Sequence, residues 1–334
     1  MNEILNKTEL LDENGRLISP GFSKRENYVY NKENIKAFPL RVKEWDFYQI
    51  ISPKYVLQMT IGHVSYMANF ACTLFDFQGN RFSVSKFVPF PRKLSMDKNG
   101  DEKSCLNVKY KNFEMKFDVF QNYRQLQIHA IDKKFGKVDI DVTLEMSGDE
   151  SIVVATPFEK ENEFYLNQKI SCMKTSGVAK FGDNLFEFDK VDSFALLDWG
   201  RGVLPFKHNW VWGNGSGVVD GNSFGFNIGS FGDTSNATEN ALFFNGKTHK
   251  IDSVTANVDK SNFLKPCIFH SSDNRFEVEF TPIFDNFTQT KLLFVNNSCH
   301  QVFGNFNGTC ILDDGKKIEL KNFLAFCEFA SNRW

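Results

Sequence analysis

Apolar and polar residues alternate with a period of two over much of the chain. In VDIDVTLEMS (138–147), Val138, Ile140, Val142, Leu144 and Met146 fall on one side and Asp139, Asp141, Thr143 and Glu145 on the other. NFEMKFDVF sets Phe113, Met115, Phe117 and Val119 against Glu114, Lys116 and Asp118, and RFEVEF sets Phe276, Val278 and Phe280 against Arg275, Glu277 and Glu279. Successive side chains of a strand point to opposite faces, so each segment predicts a strand with one buried and one wetted face, the habit of antiparallel sheets. Between such segments stand Asn14-Gly15, Gly79-Asn80, Asn99-Gly100, Asn245-Gly246 and Asp314-Gly315, pairs that tolerate the positive φ of tight hairpins. No apolar i, i+3, i+4, i+7 spacing persists, so little helix is expected, at most short pieces near 159–163 and 235–242.

A chain of 334 residues exceeds most single cores and implies about two domains. The charged stretch EKENE (159–163) has roughly seven or eight expected strands on each side. The expected division is an N-terminal extension over 1–24, a first β-barrel-like domain over 25–160 and a second over 161–334. Around eight antiparallel strands can close on themselves, remove their exposed edges and enclose one small ligand. The 37 phenylalanines, against 8 tyrosines and 5 tryptophans, suit wide, pleated interiors.

Charge removes several classes of partner. A net charge of −2, with bases dispersed among acids, offers no basic stripe for nucleic acid or for an anionic membrane surface. The start, MNEILNKTELLDENGRLIS, has no basic segment followed by an apolar run, and no stretch reaches the ~20 apolar residues of a spanning helix. A cytosolic protein with no integral membrane segment is expected, and its oligomeric state stays open. Cys72, Cys105, Cys172, Cys267, Cys299, Cys310 and Cys327 are widely spaced without a C-x-x-C pair, which predicts free thiols. No two histidines stand at ligand spacing on one element, and G-x-S-x-G is absent. Neither a metal nor any other cofactor is therefore expected, and serine-hydrolase chemistry is excluded.

Chemistry concentrates in DWGRGVLPFKHNWVWGNGSG (198–217). Read as extended chain, KHNWVWG places His208, Trp210 and Trp212 on one face. That face predicts an aromatic wall with a titratable group at its mouth. Upstream, glycines 200 and 202 are expected to turn the chain so that Asp198 and Arg201 meet at a barrel rim. Gly213, Gly215 and Gly217 are not a phosphate loop, because no helix follows them; they relieve crowding. KEWDFY (43–48) puts Glu44 and Asp46 on one face and Trp45 and Phe47 on the other. Facing inward, the two acids form a carboxylate pair of raised proton affinity; facing outward they are ordinary solvated charges, the reading the sequence favours. In FCEFASNRW, Glu328 sits within an apolar run, partnered structurally by Arg333 or Arg201 if it points inward. The candidate catalytic residues are Asp198, His208 and Glu44. The candidate ligand contacts are Trp45, Asp46, Trp199, Arg201, Asn209, Trp210, Trp212, Asn214 and Glu328. An acid, an imidazole and an aromatic wall suffice to move a proton on an apolar molecule; the competing readings are passive binding of such a molecule and a filled structural core.

KEWDFY, the central twenty residues and GTCILDDGKKIELKNFLAFCEFASNRW (308–334) together resemble the domain-of-unknown-function 2804 family. That family is distantly similar to proteins of two tandem lipocalin-like barrels, among them carotenoid 1,2-hydratases and tocopherol cyclases. The resemblance implies an all-β fold of two tandem lipocalin-like antiparallel β-barrel halves. It also suggests a hydrophobic or lipid-like small molecule as partner, with hydratase, cyclase or isomerase chemistry as the alternative to binding alone. No catalytic motif of those enzymes maps onto this sequence residue by residue, and fold alone is weak warrant for chemistry.

Overall fold

The structure, a computed structural model, describes residues 2–91, 93–146, 148, 150–230, 237–292 and 295–333. In chain order its strands are β1 (Thr8–Glu9), β2 (Gly21–Ser23), β3 (Tyr28–Val29), β4 (Val42–Ile51), β5 (Tyr55–His63), β6 (Met67–Asp76), β7 (Arg81–Pro89), β8 (Ser104–Tyr110), β9 (Phe113–Val119), β10 (Tyr123–Asp132), β11 (Gly136–Glu145) and β12 (Ile152–Pro157). They continue with β13 (Phe164–Phe181), β14 (Asn184–Phe188), β15 (Phe194–Val203), β16 (Lys207–Val219), β17 (Asn222–Ser230), β18 (Ala241–Phe244), β19 (Lys247–Lys250), β20 (Val254–Ala256), β21 (Cys267–Ser271), β22 (Phe276–Leu292), β23 (Val295–Ile311) and β24 (Lys317–Arg333). Among the described residues helix is confined to two single turns, Lys32–Asn34 and Pro39–Arg41.

Two barrel-like antiparallel sheets account for all but β1 and β3, which pair with each other. The first runs β7-β6-β5-β4-β15-β13-β11-β10-β9-β8, with β12 and β14 also on β13 and β2 on β12; the second runs β19-β18-β17-β16-β24-β23-β22-β21-β20. The expected alternation forms the first core directly: Val138, Ile140, Val142 and Leu144 point inward with Phe113, Met115 and Phe117. In the second, Phe276, Val278 and Phe280 pack with Phe226, Phe306 and Phe323.

The chain passes between sheets elsewhere than the composition suggested. Residues 158–163 are the turn of the β12–β13 hairpin, and β13, β14 and β15 all pair in the first sheet. The crossing lies between Val203 and Lys207. The N-terminal residues are bound into the first unit, where β2 pairs with β12 and Leu10 and Leu11 join the core. A charged hairpin turn and a charged linker have the same composition, so only strand pairing separates them.

The outer faces of β4, β13 and β15 turn toward β16, β17, β23 and β24 of the second sheet. Two apolar clusters close this contact. One combines Ile51, Val56, Phe75 and Leu196 with Trp212, Phe303 and Phe326, and the other combines Phe22, Ile152, Val154, Tyr165 and Leu204 with Ala241 and Phe243. Between them runs a polar seam.

Candidate functional site

Strand β16 supplies one wall of the seam. Its alternation holds as read: His208, Trp210, Trp212 and Asn214 face the first sheet while Val211 packs into the second core. Its glycines make room on the other side. A Cβ on Gly215 would come within 2.8 Å of Phe226, Phe323 and Ala325, so the aromatic core lies directly on bare backbone. On the facing wall, a Cβ on Gly200 would stand 2.1 Å from the indole of Trp45. Gly200 thus lets that ring lie across β15, where it stacks on Tyr165 at 5.9 Å between centroids.

Asp198 projects into the seam from β15. It accepts from Lys169 Nζ at 2.7 Å and from Asn167 Nδ2 at 2.6 Å, and keeps 13% of its side-chain surface exposed. Lys169 and Asp198 are directly opposed in the β13–β15 register, which gives the pair its short reach. Lys169 also lies 3.7 Å from Glu239 and 4.3 Å from the centre of the Trp212 ring. A buried ammonium is costly unless paired, and here two carboxyls and an indole face surround it.

From the second sheet comes Glu328, half-buried and flanked by Trp210, whose indole N–H donates to its Oε1 at 2.7 Å, and by Gln301, which donates to Oε2 at 3.2 Å. Removal from water pushes the Glu328 carboxyl above the ordinary range, Asp198 adds to this by like charge, and the Trp210 bond works the other way. Burial likewise pushes Glu239 up, against the pull of Lys169. Gln301 accepts in turn from Gln58 at 2.6 Å, and Gln58 donates to Gln49 at 2.7 Å. A chain of amides therefore ties Glu328 back to the first sheet.

The sequence reading fails at several positions. Strand β15 runs unbroken through DWGRGV, so the expected turn at glycines 200 and 202 does not exist. Asp198 and Arg201, three residues apart on a strand, point to opposite faces. Arg201 lies inside the first barrel, where it donates to Asp46 at 2.9 Å, lies 4.0 Å from Glu44 and stacks 4.0 Å over the ring of Trp199. Glu44 and Asp46 are buried, not solvated, and burial pushes the Asp46 carboxyl up. Glu44 accepts from Tyr30 at 3.0 Å and from Lys32. Glu44, Asp46, Trp199 and Arg201 are therefore one buried polar core, apart from the seam. Neither expected arginine partners Glu328.

His208 stacks on Trp210 at 5.2 Å, and its Nδ1 meets the Pro205 carbonyl at 3.3 Å. Burial pulls the imidazole down to about 4, so near neutral pH it is uncharged and donates no extra proton. Asn209 is exposed and takes no part. Of the candidates, the seam brings together Trp45, Asp198, Trp210, Trp212, Asn214 and Glu328, with His208 beside Trp210. It adds Tyr165, Asn167, Lys169, Asn227, Glu239 and Gln301, which the sequence reading passed over. A signal was present in FYLNQKI: Tyr165, Asn167 and Lys169 share one face of a strand whose other face is also buried. Among the described residues no group of acidic, histidine and cysteine side chains is arranged to hold a metal ion. No described helix is long and apolar enough to cross a membrane.

The fold has solved counterparts. Kievitone hydratase from Nectria haematococca superposes at a TM-score of 0.50 with 10% identity, over 92% of this chain and 96% of that one. A protein described as AttH of Nitrosomonas europaea gives 0.48 with 12% identity, over 88% and 92%. The first likeness supports the tandem-barrel architecture and, at such identity, nothing finer. No curated protein matches the sequence. The model of the family described as "Domain of unknown function (DUF2804)" matches residues 1–334, and the chain belongs to that family.

Proposed function

We propose that the seam between the two sheets binds a small, mostly apolar molecule and moves protons on it. The observation that carries this reading is the convergence of Asp198 and Glu328 from opposite sheets: each keeps solvent-accessible surface, and the charge of Asp198 bears on the Glu328 carboxyl, which the Trp210 indole holds. Glu328, whose proton affinity desolvation raises, is suited to donate; Asp198, ion-paired with Lys169, is suited to accept. With an alkene and water, the proton of Glu328 adds to carbon, water attacks the resulting cation, and Asp198 takes the proton that water releases. Exchange with solvent then restores both carboxyls. The same pair, used without water, shifts a double bond by adding a proton at one carbon and removing one from another. Addition of water is the reaction that the name of kievitone hydratase records for that protein.

The test uses the purified protein and an apolar cell extract in deuterated or oxygen-18 water, read by mass spectrometry. At least one compound should gain solvent deuterium or change mass by one water with the native protein, and should fail to do so with Glu328→Gln. A compound retained by the protein without isotope uptake would favour a carrier and overturn the chemistry.

A further inference from the structure

We infer that the molecule held in the seam carries a neutral hydrogen-bond donor, a hydroxyl group, directed at Asn167 and Asn214; this rests on the proposed seam site and specifies its ligand. Several buried polar atoms along the seam lack a hydrogen-bond partner. Asn167 and Asn214 are almost wholly buried, yet their Oδ1 atoms meet no donor. Glu239, equally buried, has the Lys169 charge at 3.7 Å but no close hydrogen bond to either oxygen. A buried acceptor without a donor costs stability, so native structures seldom keep one without a purpose.

All three residues belong to one neighbourhood. Asn167 donates to Asp198, the partner of Lys169; Asn214 donates to Asn227, which also accepts from Trp212, the indole under Lys169. Turning either amide over sets oxygen against oxygen. The oxygen of Asn167 would then face the Asp198 carboxylate and the Trp199 carbonyl; that of Asn214 would meet the Ser171 hydroxyl but also the Asn227 oxygen, which the Trp212 indole holds in place. The amide orientations are thus fixed by their own donors, and their oxygens stay open as acceptors.

Around Lys169 the open groups are acceptors, which select a ligand that donates; Gln49 Nε2, an open donor, stands apart from them beside Gln58. An ammonium donates too, but Lys169 already occupies the neighbouring carboxyls, and taking a second cation out of water into this buried seam costs far more than taking a hydroxyl. A hydroxyl satisfies the acceptors without that penalty. The ligand class is therefore an alcohol or phenol on an apolar frame.

Three matched probes separate the possibilities: 2-indanol, 2-methoxyindane and 2-aminoindane, titrated into the intact protein by calorimetry at neutral pH. The alcohol should bind about tenfold tighter than the methyl ether, which keeps the oxygen but loses the donor, and tighter than the ammonium. In Asn214→Ala, checked for native melting, the preference for alcohol over ether should shrink. Equal binding of alcohol and ether, or preference for the ammonium, overturns the donor inference while leaving the seam site standing. Failure of all three to bind at millimolar concentration overturns the seam reading, and this inference with it.

Discussion

Asp198 and Arg201 lie three residues apart on one strand and serve two different interiors: Asp198 meets Lys169 at 2.7 Å in the seam, and Arg201 meets Asp46 at 2.9 Å within the first barrel. Substitution should separate these roles. Arg201→Met leaves Asp46 without its partner and, among the described residues, Glu44 with Lys32 as its remaining cation within ion-pair distance. Breaking a buried ion pair typically costs about 3–5 kcal/mol. The urea midpoint of Arg201→Met should fall accordingly, with little change in the slope of the transition. Asp198→Asn, at a partly exposed position, should fall less and lose isotope uptake instead. A fully stable Arg201→Met would contradict the buried-pair assignment.

Glu26 gives folding stability a defined pH dependence. Its carboxyl is pushed up to about 8, first by burial and then by the neighbouring Asp101, from an ordinary value of 4.5. Between those values the folded chain holds a proton that the unfolded chain has lost, so this group lowers stability as pH rises from about 4.5 to about 8. Lys250, pulled down to about 7 by burial from 10.5, acts oppositely above that value, so the native curve alone is ambiguous. The comparison with Glu26→Gln is not. The melting temperature of the variant, relative to native protein, should rise progressively between about pH 5 and pH 8. A constant difference across that range would show that Glu26 titrates as it does in water.

The strands were legible because period-two alternation is a local property, and Val138–Leu144 or Phe276–Phe280 needs no partner to reveal its inward face. The face shared by His208, Trp210 and Trp212 was legible for the same reason. What local pattern cannot supply is register and the second burial surface. Glu328 meets Gln301 because they are opposed in the β23–β24 pairing, and Lys169 meets Asp198 by the same kind of register. Nothing in either segment names its partner. Glu44 and Asp46 were misread because a charged alternation looks solvated; the arginine that neutralises them is some 155 residues away along the chain. Glycine misled too: Gly200 and Gly202 read as a turn, yet they are flat strand positions that admit Trp45 and the Phe164 carbonyl.

The thiols provide a check on the packing. All seven cysteines are free, and Cys105 alone is exposed. Burial pushes the thiols of Cys72, Cys172, Cys267 and Cys310 up, which removes both access and the reactive thiolate. Hydrogen bonding to Asp118 slows Cys105 without shielding it. Maleimide added to native protein should attach one group rapidly, and Cys105→Ser should abolish that phase. Unfolding without reductant should expose all seven; fewer would mean a disulfide that the fold does not contain.

The two tryptophans of β16 should respond oppositely to conservative replacement. Trp212 is almost fully buried; its N–H donates to Asn227 at 2.8 Å, and Phe326 meets it at 4.9 Å, edge to face. Trp212→Phe deletes a buried donor and opens a void where the sheets join, so about 1–3 kcal/mol of stability should be lost. Trp210 is half-buried, and its N–H holds Glu328 at 2.7 Å. Trp210→Phe should melt close to native protein, because the half-buried position keeps an aromatic ring against the cluster of Trp212, Phe303 and Phe326. Its effect should appear in chemistry: the indole bond, ahead of Cys299 and Lys169, is the strongest of the influences that draw the Glu328 proton affinity down against burial. Without that bond the carboxyl holds its proton to higher pH. If Glu328 is the acid, the alkaline limb of isotope uptake should move to higher pH in Trp210→Phe. An unmoved limb, in a variant that still binds 2-indanol, would remove Glu328 from the reaction and leave the seam as a binding site alone.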